Sequence, residues 1–347
     1  MTDVTGEVGG SVVDRADSVD GAIDCSLHPV DAARHLAASF DAGRRLVIHA
    51  PTCPDHGHHV AVEFLHPVVT GTVALPAVAG PPTGRSGDVL LAIGGDSDRN
   101  NVELWIPGGH EATIMSTYHL LWELVQLLLT SAPEPGGDST DFLYPFLEGD
   151  SSDNSDHLES SARAKTEDSL RVASEALESN IAAITSVSDL IVSATTQGRR
   201  VLTMGNGGSA CDAARAVRLL SPIGVDTQSL SADYAVVSAL ANDLGAERVF
   251  ARQVEALGRT GDVLLGFSTS GTSANLLAAF DQAKVVGMTT VGFAGYNGEA
   301  FETHPAVEHT VAVASQSVHR IQEAQAVVLD AVLERVTTGF ATKAGFV

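Results

Sequence analysis

Two patterns in this chain place reactive or ligand-binding side chains at useful spacings. The first is a pair of turns, Gly205-Asn206-Gly207-Gly208-Ser209 and Ser268-Thr269-Ser270-Gly271-Thr272-Ser273. Gly207 and Gly208 let the backbone approach a ligand with no Cβ in the way, while Asn206 and Ser209 add side-chain hydrogen bonds. The second turn carries five hydroxyls in six residues. Together they offer a neutral, donor-rich cradle for phosphate oxygens, although Ser and Thr at such positions also serve as plain helix caps. The second pattern is His-x-x-x-Glu, found at His59/Glu63 and again at His119/Glu123. Residues four apart share a helix face, so two such faces converging would hold a divalent metal such as zinc or supply a general base and acid. The alternative is a pair of amphipathic helices whose polar faces carry these residues.

Each pattern needs elements to hold it. Val201-Leu202 ends in the first turn and an alanine-rich helical segment follows, a strand–turn–helix order that aims free N–H groups and a helix dipole at an anion. Gly261 to Phe267 reads as a second buried strand, with a helix beginning at Ala274 after the hydroxyl-rich turn. The N-terminal half repeats this layout: a helix over His28–Ala42, a strand over Arg45–His49, a strand over Gly87–Ile93 and a closing helix over Glu111–Leu129. Its first turn, Ala50-Pro51-Thr52-Cys53-Pro54, lacks glycine, and Asp96 and Asp98 at its second would repel phosphate. That half does carry nine of the thirteen histidines within residues 1–119. The expectation from the repeat is an α/β protein of two tandem units, the first shortened between its third strand and last helix. The boundaries expected are a disordered N-terminus over 1–25, a first domain over 26–130, an acidic linker over 131–165 and a second domain over 166–340. The linker includes an apolar patch at 142–147 and a run from Glu148 to Glu167, rich in Asp, Ser and Glu, whose sole lysine is Lys165. A long helix is expected over Ser169–Thr196.

Three segments in order, GNGGSACDAA, ALANDLGAERVFARQVEALGRTGDVLLGFSTSGTSAN and HRIQEAQAVVLDAVLE, resemble the sugar isomerase (SIS) family, and within it the phosphoheptose isomerase branch. The resemblance runs from about Thr166 to Thr338. It implies a five-stranded parallel sheet with helices on both faces, and with the repeat two tandem three-layer αβα units with parallel sheets, the first one shortened. It also implies aldose–ketose isomerisation of phosphosugars, or phosphosugar binding without catalysis. By the same resemblance Asn242-Asp243 and Gln322 belong at the substrate, and the long leading helix implies a homodimer or pseudo-tetramer. Two departures stand out. Arg215 and Leu219 occupy the positions of the family's His-x-x-x-Glu pair, and Asp330 stands where the closing helix would offer a metal-site histidine. Aligning the N-terminal half instead puts His59 and Glu63 on the family pair, with the second histidine position falling at Leu124 or Glu123.

These readings combine into one leading expectation, a sugar phosphate isomerase with a composite site. Asn206, Gly207, Gly208, Ser209, Ser268, Thr269, Ser270 and Ser273 would fix the phosphate, with Asp243 and Gln322 at the sugar. Glu63, with His59 or His119, would move a proton between C1 and C2 through an enediol, and the metal set would be His59, Glu63, His119 and Glu123. The alternative is a non-catalytic phosphosugar sensor or a regulatory or assembly protein.

Composition bounds the partners. The net charge is −23 over 347 residues, which repels nucleic acid and anionic membranes and forces any phosphate site to rely on local amides and hydroxyls. Mean hydropathy is +0.13, and no apolar run reaches transmembrane length. The acidic start, MTDVTGEVGG, lacks the positive region of a signal peptide, and Cys25, Cys53 and Cys211 are too few and too scattered for a disulfide framework. A cytoplasmic protein without a nucleotide cofactor is expected.

Overall fold

The computed structural model describes residues 28–66, 74–81, 87–95, 102–129 and 155–343. The expected disordered N-terminus, Asp96, Asp98 and residues 131–154 of the expected linker lie outside the described residues. The chain divides into two compact units, Met1–Ser174 and Glu175–Val347.

Unit 1 runs α1 (Pro29–Asp41), β1 (Leu46–His49), α2 (Pro54–Leu65), β2 (Ala77–Ala79), β3 (Val89–Gly94), β4 (Leu104–Pro107), α3 (Glu111–Leu129) and most of α4 (Ser155–Ser179). Both α1 and α2 start on a proline, whose fixed φ suits the first helical turn. The sheet is wholly parallel in the order β2-β1-β3-β4, with Leu46 opposite Ala77 and Val89, and Leu91 opposite Leu104. β2 and β4 are three and four residues long, too short to show a hydrophobic period, and the sequence did not reveal them. α3 buries nearly every position from Ile114 to Gln126. His119 and Glu123 are therefore not a solvated polar face, and neither are His59 and Glu63 on α2.

The acidic linker expected up to residue 165 gives way at Ser155, where α4 begins. Leu158, Lys165, Val172 and Ala176 of that helix are buried. The first three are seven apart, the seam spacing of a helix packed along its length. Composition concealed the seam because Lys165 is one of its members. The residue is 0% exposed, and its Nζ lies 3.5 Å from Glu123 Oε2 on α3. The long helix expected over Ser169–Thr196 is two helices, broken at Asn180. There Nδ2 donates to the carbonyls of Ala176 and Ala312, at 2.7 Å each, and Oδ1 accepts from the Ala312 amide at 3.0 Å.

Unit 2 continues with α5 (Ile181–Thr196), β5 (Val201–Gly205), α6 (Gly208–Leu220), β6 (Thr227–Ser229), α7 (Tyr234–Leu244), α8 (Val249–Leu257), β7 (Val263–Phe267), α9 (Ala274–Val286), β8 (Thr289–Ala294), α10 (Glu299–Glu302), β9 (His309–Ala312) and α11 (Val318–Lys343). Its five strands are all parallel in the order β6-β5-β7-β8-β9. Helices α8 and α9 pack together, while α5 and α11 form another pair. The core under α8 and α9 is built from Leu202, Met204, Val254, Leu264, Leu276 and Phe280 with their buried neighbours. The parallel sheets with flanking helices agree with the α/β expectation. Among the described residues unit 1 has four strands to the five of unit 2, in the same order over the strands they share.

Candidate functional site

In unit 2 the chain leaves β5 to one side, toward β6, and returns to place β7 on the other. The order therefore reverses between β5 and β7, and ligands of open parallel sheets bind at the carboxyl ends of strands at such a reversal. Both hydrogen-bonding turns lie there, since Gly205 is in register with Phe267. Gly205 is dictated by close approach, because a Cβ on it would fall 2.1 Å from the Ser209 carbonyl oxygen as α6 folds back over the strand end. Gly207 supplies the left-handed step, with φ of +52°. No side chain caps α6; the Ala210 amide bonds back to the Gly207 carbonyl at 3.0 Å, which leaves the amides of Gly208 and Ser209 to the crevice. Ser231 holds the base of this turn, its Oγ bonding the Gly205 amide at 3.1 Å and carbonyl at 2.8 Å.

The second turn is braced by its own hydroxyls. Ser268 Oγ accepts from the Gly271 amide at 2.9 Å, and Ser270 Oγ accepts from the Thr272 amide at 3.3 Å. Ser273 is the N-cap residue of α9 but makes no side-chain capping bond, so plain capping does not account for it. Asn275, which sequence reasoning had not weighed, bonds reciprocally with Asn206 at 3.0 and 2.9 Å and ties the turns together. Behind them Gln322 Nε2 donates to Asp212 Oδ2 at 3.4 Å, and Gln325 Nε2 donates to the Ser268 carbonyl at 3.0 Å. The cradle residues and Gln322 are thus supported by one connected set of helices and strands. Arg215 Nη2 lies 3.7 Å from Asp212 Oδ1, and both side chains are buried. Asp243 differs from these residues. It is exposed near the end of α7 and accepts from Asn242 Nδ2 at 2.7 Å. Among the described residues no bond joins it to the turns.

Unit 1 gathers the other expected group. α2 and α3 pack together, pinned by Trp122 Nε1 donating to the Glu63 carbonyl at 2.8 Å. His59, Glu63 and His119 each offer a ligand atom, all within 4.8 Å of one another, and all three are buried. The His59 and His119 rings meet edge to face with centroids 5.2 Å apart, and His59 Nε2 lies 3.4 Å from Glu63 Oε1. Two imidazoles and a carboxylate suit zinc or a similar divalent ion. The outer shell fits as well, since Tyr118 Oη lies 2.8 Å from His59 Nδ1. It can accept from Nδ1–H while Nε2 presents a lone pair to an ion. Glu123 is absent from this group and pairs instead with Lys165. A neighbouring group, Asp55, His56 and Glu111, escaped the sequence reading. Its signals were present in the DHGHH run and in the first residue of α3. His56 Nε2 lies 2.7 Å from Glu111 Oε2, and its Nδ1 lies 3.3 Å from Tyr118 Oη.

Comparison with known proteins places these features in context. The SIS domain profile matches residues 166–295. A phosphoheptose isomerase of Roseiflexus sp. (strain RS-1) is 40% identical over 176 residues, which is 49% of this chain and 88% of the relative. One of Burkholderia pseudomallei (strain 1710b) is 43% identical over 149 residues, 41% of this chain and 75% of the relative. The solved phosphoheptose isomerase of Neisseria gonorrhoeae matches with a TM-score of 0.50 at 29% identity, covering 52% of this chain and 99% of that one. The C-terminal domain of glucosamine-fructose-6-phosphate aminotransferase from Francisella tularensis has a TM-score of 0.59, covering 94% of each chain. At 7% identity that likeness is one of fold alone.

Proposed function

We propose, from the premise that this chain belongs to the phosphoheptose isomerase family of SIS-domain proteins, that it interconverts the aldose and ketose forms of a sugar phosphate. The observation that carries this reading is the pair of turns at the β5/β7 reversal, joined by Asn206 and Asn275. Backbone amides of the first turn, with Ser209, Ser268, Thr269, Ser270 and Ser273, hold the phosphate. Anchoring the phosphate supplies the orientation that aldose–ketose exchange requires, as a proton moves between C1 and C2 through an enediol.

Glu63, with His59 or His119, is proposed as the proton-transferring group. The burial of all three and their mutual distances support this role. The same residues are proposed to hold a divalent metal, zinc fitting the two-nitrogen, one-carboxylate set. When bound, such an ion polarises a carbonyl. Exposed apolar side chains on α7 and α5, among them Tyr234, Leu244 and Ile181, support a homodimer or higher oligomer, which light scattering after size exclusion would register.

Incubation with sedoheptulose 7-phosphate, followed by NMR for the aldose, tests the activity. Aldose formation that falls with Ser209→Ala is the expected result. A specific observation favours a second reading, a phosphosugar sensor: Arg215 and Leu219 stand where the family resemblance puts a His and a Glu. A protein without turnover that sedoheptulose 7-phosphate still stabilises, with Ser209→Ala abolishing the shift, would establish the sensor instead.

A further inference from the structure

Arg215 is 1% exposed, yet none of its three guanidinium nitrogens has a hydrogen-bond acceptor among the described residues. Its ion-pair partner Asp212 lies 3.7 Å away, beyond hydrogen-bonding reach. A guanidinium presents five N–H donors in a fixed fork, and sealing such a group from water without acceptors is strongly unfavourable. The arrangement becomes favourable when a ligand brings oxygens to the fork.

The position of Arg215 identifies those oxygens. It follows Ser209 by six residues on α6, a rise of about 9 Å along the helix. Helical side chains lean toward the N-terminus, so the guanidinium reaches back over Asp212 toward the turn that starts the helix. Asp212 also accepts from Gln322 at 3.4 Å, so Arg215, Asp212 and Gln322 form one polar floor spanning α6 and α11. Ser209, on the same helix, and Ser268 of the cradle are buried too. A phosphate at the start of α6 is served by helix amides and hydroxyls and leaves the fork for the far end of the molecule that carries it.

We propose that Arg215 is a substrate-binding residue whose guanidinium receives the carbonyl-end oxygens of a sugar phosphate, with Asp212 accepting a neighbouring hydroxyl. This rests on the phosphosugar reading above. A carbonyl oxygen and the adjacent hydroxyl lie side by side, and the two-pronged geometry of arginine matches such a pair where lysine does not. The residue thus places a fixed cation at a position where the family resemblance puts a metal-site histidine.

Calorimetric titration of inorganic phosphate and of sedoheptulose 7-phosphate into wild type, Arg215→Met, Arg215→Gln and Arg215→Lys tests this. Inorganic phosphate should bind all four within about twofold. The sugar phosphate should lose about tenfold or more in affinity with Met and Gln and an intermediate amount with Lys, as expected for a charge-assisted fork. If Arg215→Met fails to fold, Gln and Lys carry the comparison. Unchanged sugar phosphate affinity in the variants, against a wild type that binds it, overturns this proposal alone. Equal loss of both ligands also overturns it, because Arg215 would then serve the phosphate. A wild type that binds neither ligand, or phosphate but not the sugar phosphate, overturns this proposal together with the reading beneath it.

Discussion

Asn206 and Asn275 exchange two amide hydrogen bonds, 3.0 Å in one direction and 2.9 Å in the other. Each amide uses its carbonyl and one N–H on the other, which is the complete pairing two side-chain amides can make. The pair bridges the turns after β5 and β7 and fixes the gap between them.

The first prediction concerns that bridge. Asn275→Ala removes both bonds, each worth about 1 kcal/mol net. The expected outcome is a roughly five- to thirtyfold weaker affinity for inorganic phosphate, with little change in melting temperature because the pair is near the surface. Isothermal titration checks it, and unchanged phosphate affinity would show that the gap is held by other means.

A second prediction follows from Gly205. Its missing Cβ would sit 2.1 Å from the Ser209 carbonyl oxygen, a backbone atom that cannot step aside as a flexible side chain can. Gly205→Ala should destabilise unit 2 by about 1–3 kcal/mol or more and weaken phosphate binding, since relief requires the first turn of α6 to shift. Denaturant unfolding and the same titration report the two effects. A stable variant with normal phosphate affinity would contradict the close-packing argument.

The metal group supplies a third. His59→Ala and His119→Ala should each lower zinc content to background after dialysis, as measured by elemental mass spectrometry. Tyr118→Phe keeps all three ligands and removes the oxygen beside His59 Nδ1, and should weaken zinc binding by about 10–100-fold. Equal metal content in wild type and His59→Ala would remove the metal from the proposal.

A fourth concerns Lys165 and Glu123. Removing one member of a buried pair leaves the other charge without its counter-ion, at a cost of about 3–5 kcal/mol. Lys165→Met alone should therefore be strongly destabilising, whereas Lys165→Met with Glu123→Leu should recover much of the loss. Chemical denaturation of the two singles and the double completes the cycle. Strict additivity would show that the two charges do not interact.

The sequence made the site legible where chemistry and local geometry coincide. Gly205, Gly207 and Ser209 are informative because the strand–turn–helix step that uses them is contiguous. His59 and Glu63 were equally visible, because their partnership is one helical turn long. Asn275 and Tyr118 were not, since each acquires its role from a residue far along the chain. Lys165 misled for the opposite reason. An acidic, serine-rich neighbourhood predicts solvent, and only the seam shared with Leu158 and Val172 shows why a lysine is buried there. β2 and β4 were missed because three or four residues carry no period. Their parallel partners, distant in sequence, decide that they are strands.

The course of α4 bears on how this protein can be dissected. The compositional boundary at residue 166 looks like a natural place to begin a truncated protein carrying only the phosphate turns. A cut there passes through the middle of a helix that starts at Ser155. It also makes Lys165, whose ammonium group sits 3.5 Å from Glu123, the last residue of the N-terminal fragment, with the rest of its helix gone. The fragment left behind would carry a buried acid whose counter-ion hangs on a frayed helix end. Its insolubility would then report on the choice of scissors rather than on whether the N-terminal unit can fold.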